Sequence, residues 1–253
     1  MTGVQTCALP ILIAGTFLLA GAVKGVIGLG LPTLSLGLLT VAFDLTTAMV
    51  LLIVPSFVTN LWQAVGGGNG RHILRRIWPF LLMATATVWL GAIALTRVDL
   101  SLLSGLLGGL IVAYSTLSLA GVRLAISAQR ELWTGPLFGT LNGILTGMTG
   151  SFVVPGVMFL QGIGLPRDML VQAMGMLFTA LTFSLALALQ GNNILTAHYG
   201  LVSVAAVIPA AVGMVGGQSL RGMLSEHNFR QVFFIALLLL GAYIIAKAAL
   251  GAR

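Results

Sequence analysis

Negative charge is scarce in this chain. Five Asp and Glu stand against twelve Lys and Arg in 253 residues, and charged residues of both signs make up only 7%. A water-facing domain needs several times that charge to cover its surface. Cysteine is scarcer still: Cys7 stands alone, which excludes an internal disulfide and a cysteine-based metal centre. The few acidic groups sit outside the apolar runs. Asp44, Asp99 and Asp168 stand where runs begin, while Glu131 and Glu226 fall between runs, as do His72, His198 and His227. An aspartate at a helix start caps free N–H groups and complements the helix dipole. No carboxylate or imidazole remains inside a run to ligate a metal, relay a proton or act as general base, and no serine-nucleophile elbow occurs. No ATP-binding loop is present. The sequence therefore speaks against an enzyme and against a primary pump, and no cofactor or metal is expected. No charge run or basic patch interleaved with aromatics suggests a nucleic-acid partner.

What is abundant is apolar surface. Hydrophobic residues make up 58% of the chain, and its mean hydropathy is +1.08. Divided into spans of roughly 20 residues, the chain is expected to be an all-α integral membrane protein with about eight transmembrane helices. The runs lie at 12–42, 45–65, 77–95 and 100–122, then from 136 through a break, and at 169–189, 199–220 and 232–250. Residues 1–11 look like a translated sequencing adapter and are set aside. The expected organisation is two four-helix repeats with broken first helices, 12–122 and 136–253, joined by a cytoplasmic connector at 123–135. Pro136 marks the expected start of the second repeat's first helix. Four spans per half makes the repeats parallel, unless the broken segments turn back without crossing.

Orientation follows from Lys and Arg. Alternating spans group Arg71, Arg75, Arg76, Arg123, Arg130, Lys247 and Arg253 on one side, and Arg97, Arg167, Arg221 and Arg230 on the other. With the first group inside, both termini are expected in the cytoplasm of a multi-pass bacterial inner-membrane protein.

Two interruptions organise the apolar text. The first is Ala22-Val-Lys-Gly-Val-Ile-Gly-Leu-Gly-Leu-Pro32, and the second is Thr146-Gly-Met-Thr-Gly-Ser-Phe-Val-Val-Pro155. A lysine near the centre of a spanning helix costs about 2.5–3.5 kcal/mol, so Lys24 needs a compensating role. It is either a cationic contact for an anion or a side chain that snorkels to the interface. Glycine and proline at membrane depth produce discontinuous helices, whose N-termini suit anions. They also allow close helix packing. Two breaks at matching places favour a site, with Gly28, Gly30 and Pro32 on one side and Thr149, Gly150, Ser151 and Pro155 on the other. Asn60, Gln63 and Gln172 are the uncharged donors expected to complete it. The expected partners are a small anionic substrate, the lipid bilayer and, as an option, a second copy in a homodimer.

At these same residues the chain resembles the TauE/SafE family, the sulfite and sulfonate exporters and their relatives. The matching patches are Val23-Lys-Gly-Val-Ile-Gly-Leu-Gly-Leu-Pro-Thr33, Pro55-Ser-Phe-Val-Thr-Asn-Leu-Trp-Gln63, Thr146–Pro155 and Leu165-Pro-Arg-Asp-Met-Leu-Val-Gln-Ala173. The resemblance implies a multi-span permease of bacterial inner membranes. The expected function is a secondary transporter for small organic or sulfur-containing anions such as sulfite, sulfonates or sulfoacetate. A non-transporting accessory protein and a passive anion channel are the alternatives.

Overall fold

The computed structural model describes residues 3–122, 124–195, 197–223 and 225–251. Every regular element among them is helical: α1 Gly3–Ile27, α2 Leu31–Ala42, α3 Leu45–Val65, α4 Gly70–Leu95, α5 Leu100–Leu119, α6 Ala128–Thr149, α7 Gly156–Gly162, α8 Arg167–Gly191, α9 Ala197–Ala205, α10 Val207–Leu220 and α11 Glu226–Gly251. Seven helices, counting α9 and α10 together, are long and apolar enough to cross a membrane. The helix α2 is a shorter apolar helix beside these seven, and the long helix α6, whose first turns are polar, packs along α4. This is a multi-pass membrane protein. Residues 1–2 of the segment expected to be an adapter lie outside the described residues, and α1 runs through 3–11.

Prolines account for several irregularities. Pro55 inside α3 has no N–H, so the carbonyl of Leu51 one turn back loses its helical partner. Ser203 from α9 supplies the replacement, donating from Oγ to that carbonyl at 2.8 Å. Pro209 deprives Ala205 in the same way, and α9 ends there while α10 continues the span. Pro136 does not start a helix as expected. It lies inside α6, which begins a little over two turns earlier at Ala128. The added turns carry Glu131, whose carboxylate is held by Arg76 of α4 at 2.6 and 2.9 Å.

The helix directions follow from packing. Gly21 and Gly25 of α1 lie against the backbone carbonyls of Ala210 and Met214 of α10, with Gly217 against Ala22, so α1 and α10 run parallel. Gly30 of the α1–α2 link meets Phe233, and Gly37 of α2 meets Leu240, so α2 runs parallel to α11. Lys24 and Gly28 sit beside Asn60 and Gln63 near the C-terminal end of α3. At the other end, Lys247 of α11 donates to Val41 at the end of α2. The helix α1 therefore reaches the end of the bundle marked by Asn69, and α2 returns to the end marked by Asp44. The first broken run is an out-and-back hairpin rather than one bent span.

The second break repeats this upside down. The start of α6 lies with Arg76 at the Asn69 end, and Gly150 packs on Leu36 and Met49 toward the Asp44 end. From there α7 comes back, with the Gly162 carbonyl accepting from Ile126 and the Ile163 carbonyl from Arg76. Contacts pair across the halves. Gly143 and Gly147 press on Ala84 and Val88 of α4 as Gly21 and Gly25 press on Ala210 and Met214, and Gly91 meets Ile144 as Gly217 meets Ala22. Gly28 faces Val171 as Gly150 faces Met49. In this pairing Lys24 falls on Thr146. The halves run in opposite senses, which corrects the expectation of parallel repeats: each short returning helix reverses the chain direction once more within its half.

The charge map changes accordingly. Arg71, Arg75, Arg76, Arg130, Arg167, Arg221 and Arg230 all lie toward the Asn69 end, whereas Arg97 and Lys247 lie toward the Asp44 end. The arginine-rich loop after α3 and the end of α11 are thus on opposite sides, contrary to the expected grouping. The helix α1 begins on the same side as the end of α11. Arg123 and Arg253 lie outside the described residues.

Candidate functional site

A cavity of about 500 Å³ opens at the Asn69 end, between the last turns of α1, α3 and α10 and the first turns of α8. The helix α3 supplies Gln63 to its wall, α8 supplies Gln172, and α10 supplies Gln218; Asp168 and Arg221 stand at its exposed rim. Lys24 and Gly28 of the first break also line it.

Lys24 is 3% exposed, so it does not snorkel. Its ammonium donates to Asn60 Oδ1 and, at 3.3 Å, to Thr59 Oγ1. Both acceptors are neutral, and no carboxylate among the described residues forms an ion pair with this lysine. Thr59 is held in turn, donating to the Pro55 carbonyl at 2.8 Å. The fold thus buries this ammonium with dipolar partners and without a counter-charge.

Two glutamines fix the geometry around it. Gln63 donates from Nε2 to the carbonyls of Gly28, at 2.9 Å, and Val171, at 2.7 Å. Gln172 donates to the Ala64 carbonyl at 2.7 Å and accepts from the Asn69 N–H at 3.0 Å. These bonds tie α1, α3 and α8 together where the α1 helix stops and leaves carbonyls without helical partners.

The expected site residues divide into two groups. Lys24, Gly28, Gln63 and Gln172 share the cavity, and Asn60 stands directly behind Lys24. Gly30 and Pro32 are buried off the cavity wall: Gly30, at φ 112°, turns the chain into α2 beneath Phe233 and Val23. Thr149, Gly150, Ser151 and Pro155 lie toward the opposite end. Gly150, at φ 73°, ends α6 against Met49. The N-terminal N–H of α7 is already taken, since Gly156 donates to Asn142 Oδ1 at 2.9 Å. The two breaks therefore do not line one cavity. The second is packed shut, its Thr146 and Thr149 hydroxyls satisfied by the carbonyls of Ser151 and Leu145.

Sequence reasoning missed Gln218 and Arg221. Gln218 is a lone amide in an apolar run, which is itself a signal. Alternation of eight spans puts Arg221 on the far side, because it leaves the two returning helices uncounted.

A family model described as Sulfite exporter TauE/SafE matches residues 13–244, nearly the whole chain. The chain belongs to this family. No curated protein and no solved structure matches it. Membership makes this TauE/SafE chain a membrane transporter of the sulfite-exporter type. No cluster of three or more potential metal-ligating side chains occurs among the described residues.

Proposed function

We propose that this TauE/SafE chain is a secondary transporter that moves small organic or sulfur-containing anions, such as sulfite, sulfonates or sulfoacetate, across a bacterial inner membrane. One observation carries the reading: the buried Lys24 ammonium borders an aqueous-sized cavity and is held only by Asn60 and Thr59. An entering anion supplies the counter-charge, while Gln172, with one amide hydrogen free beside its bond to Ala64, and Gln218 offer amide contacts along the wall that Gln63 holds in place. The arginines around the mouth draw anions toward it.

The same reading takes 12–122 and 136–253 as two duplicated units, inverted with respect to one another, joined by 123–135. The paired glycine contacts of α1 with α10 and of α6 with α4 support it. By the positive-inside rule the arginine-rich Asn69 end faces the cytoplasm. The start of α1 and the end of α11 then face away from it.

Uptake of labelled sulfite and sulfoacetate into proteoliposomes tests the function. Saturable flux with counterflow is expected, and flux without saturation or counterflow identifies a passive channel. No flux for any small anion points to an accessory protein. Lys24→Met is expected to fold, since removing an intramembrane charge relieves an insertion cost. It should weaken anion binding by about 1–3 kcal/mol, the range for losing a bond to a charged group. Equal affinities for wild type and Lys24→Met would remove Lys24 from the site.

A further inference from the structure

The face of α3 that meets Lys24 continues below it as a stripe of polar side chains. Gln63 lines the cavity, Asn60 and Thr59 follow one turn deeper, and Ser56 comes one turn deeper again. Residues three and four apart share a helix face, so the four make one track leading inward. Asn60 and Ser56 are each 0% exposed. Their states differ from that of Thr59, which is fully engaged. Asn60 uses its oxygen for Lys24, which leaves Nδ2 as the free end of the amide, and that nitrogen has no partner. Ser56 Oγ has none either. Buried donors without acceptors are rare and costly in a settled protein interior, and more so at membrane depth.

We infer that Asn60 Nδ2 and Ser56 Oγ form an oxyanion subsite on α3, one step inward from the cavity, which receives the anion after it passes Lys24. This rests on the transporter reading above and adds the residues that select for the substrate head group. The site offers an ammonium, an amide N–H₂ and a hydroxyl. The Asn60 oxygen is occupied by Lys24, and the Ser56 hydroxyl can turn its hydrogen toward an incoming oxygen. With the ammonium beside it, the site suits an ionised head group with several oxygens, such as sulfite, a sulfonate or a carboxylate, and disfavours a cation. Farther along α3 the track becomes apolar at Leu52 and Met49, where Met49 meets Gly150 of the second break. The subsite is therefore the last set of free donors on this face before the closed half.

Two substitutions test it in purified full-length protein, with sulfite and sulfoacetate as probes in thermal-shift and equilibrium-binding measurements. Ser56→Ala removes a donor and nothing else. It is expected to weaken binding about tenfold, the equivalent of one modest hydrogen bond, while the melting temperature without anion stays the same or rises. Asn60→Asp places a carboxylate against Lys24 and so supplies the counter-charge internally. Its melting temperature without anion is expected to rise and the anion-dependent shift to disappear. Wild-type-like affinity in Ser56→Ala, or an undiminished anion shift in Asn60→Asp, overturns the subsite. If those two variants match a wild type that does bind and transport, only the subsite fails. If the wild type itself neither binds nor transports any probe, the transporter reading fails and the subsite falls with it.

Discussion

One amide nitrogen of Gln63 reaches two carbonyls on different helices, Gly28 at 2.9 Å and Val171 at 2.7 Å. It closes the gap where α1 ends and α8 begins, and it does so on the wall of the cavity. A side chain that satisfies the backbone of a broken helix also sets the distance between the helices that flank the site.

Replacing Gln63 by Leu orphans the Gly28 carbonyl, while Val171, inside α8, keeps its helical partner, and the volume is preserved. A loss of about 1–3 kcal/mol is expected, the range for unsatisfied buried polar groups. Thermal unfolding of wild type and variant in the same detergent measures it. A melting temperature within error of wild type would show that water replaces the amide.

The glycine contacts make a sharper forecast about folding. A Cβ at Gly25 would press into the backbone of Met214 and Gly217, whereas one at Gly15, on the same helix, meets nothing within 4 Å. Gly25→Leu is expected to force α1 from α10 and yield aggregated protein. Gly15→Leu should elute as wild type on size exclusion. Equal behaviour of the two variants would remove close approach as the basis of the α1–α10 contact.

At the Asn69 end, Arg76 holds Glu131 bidentately and also donates to the Ile163 carbonyl at 2.7 Å. The pair is partly buried, and its loss is expected to cost about 1–2 kcal/mol, between an exposed pair and a buried charge-assisted bond. Arg76→Ala should cost more than Glu131→Ala, because only the former also orphans the Ile163 carbonyl and leaves a carboxylate behind. Melting curves in the reverse order would show that the carbonyl contact contributes nothing.

Asp44 supplies a pH dependence. Burial pulls its carboxyl upward, but bonds from the Thr47 hydroxyl and N–H outweigh this and hold it below the ordinary carboxylate range. A carboxyl with a depressed folded value stabilises the protein above its unfolded value, about 3.9, and that contribution fades as pH falls through the folded value. The stability difference between wild type and Asp44→Asn should therefore be constant near neutrality and shrink below about pH 4. Denaturant unfolding across that range measures it, and a pH-independent difference would contradict the assignment.

Topology can be read with cysteines introduced into a Cys7→Ser background. With the Asn69 end in the cytoplasm, Asn69→Cys should resist membrane-impermeant thiol reagents in intact cells. Val98→Cys, in the opposite loop and exposed, should label rapidly. The reverse pattern would invert the orientation and leave the fold unchanged.

Much of this protein was legible without coordinates. Scarce charge and long apolar runs determined that the chain lives in a bilayer, because lipid admits only segments that satisfy their own backbone. The same physics singled out Lys24, whose insertion cost had no local remedy, and the Gly-Pro interruptions, where a helix must stop. Gly28, Gln63 and Gln172 share a cavity with Lys24, and Asn60 stands behind it, an arrangement among residues far apart in the sequence. Only the tertiary structure decided which way the chain leaves each break. A glycine at positive φ permits a turn without dictating whether the next apolar helix goes on or goes back, and hydropathy is blind to direction. That choice depends on partners distant in sequence: Phe233 and Leu240 receive α2, and Met49 receives Gly150. With two short helices returning, Arg221 joins the arginines of the Asn69 end, Lys247 leaves them, and the second break lies in the closed half, away from the cavity that the first one opens.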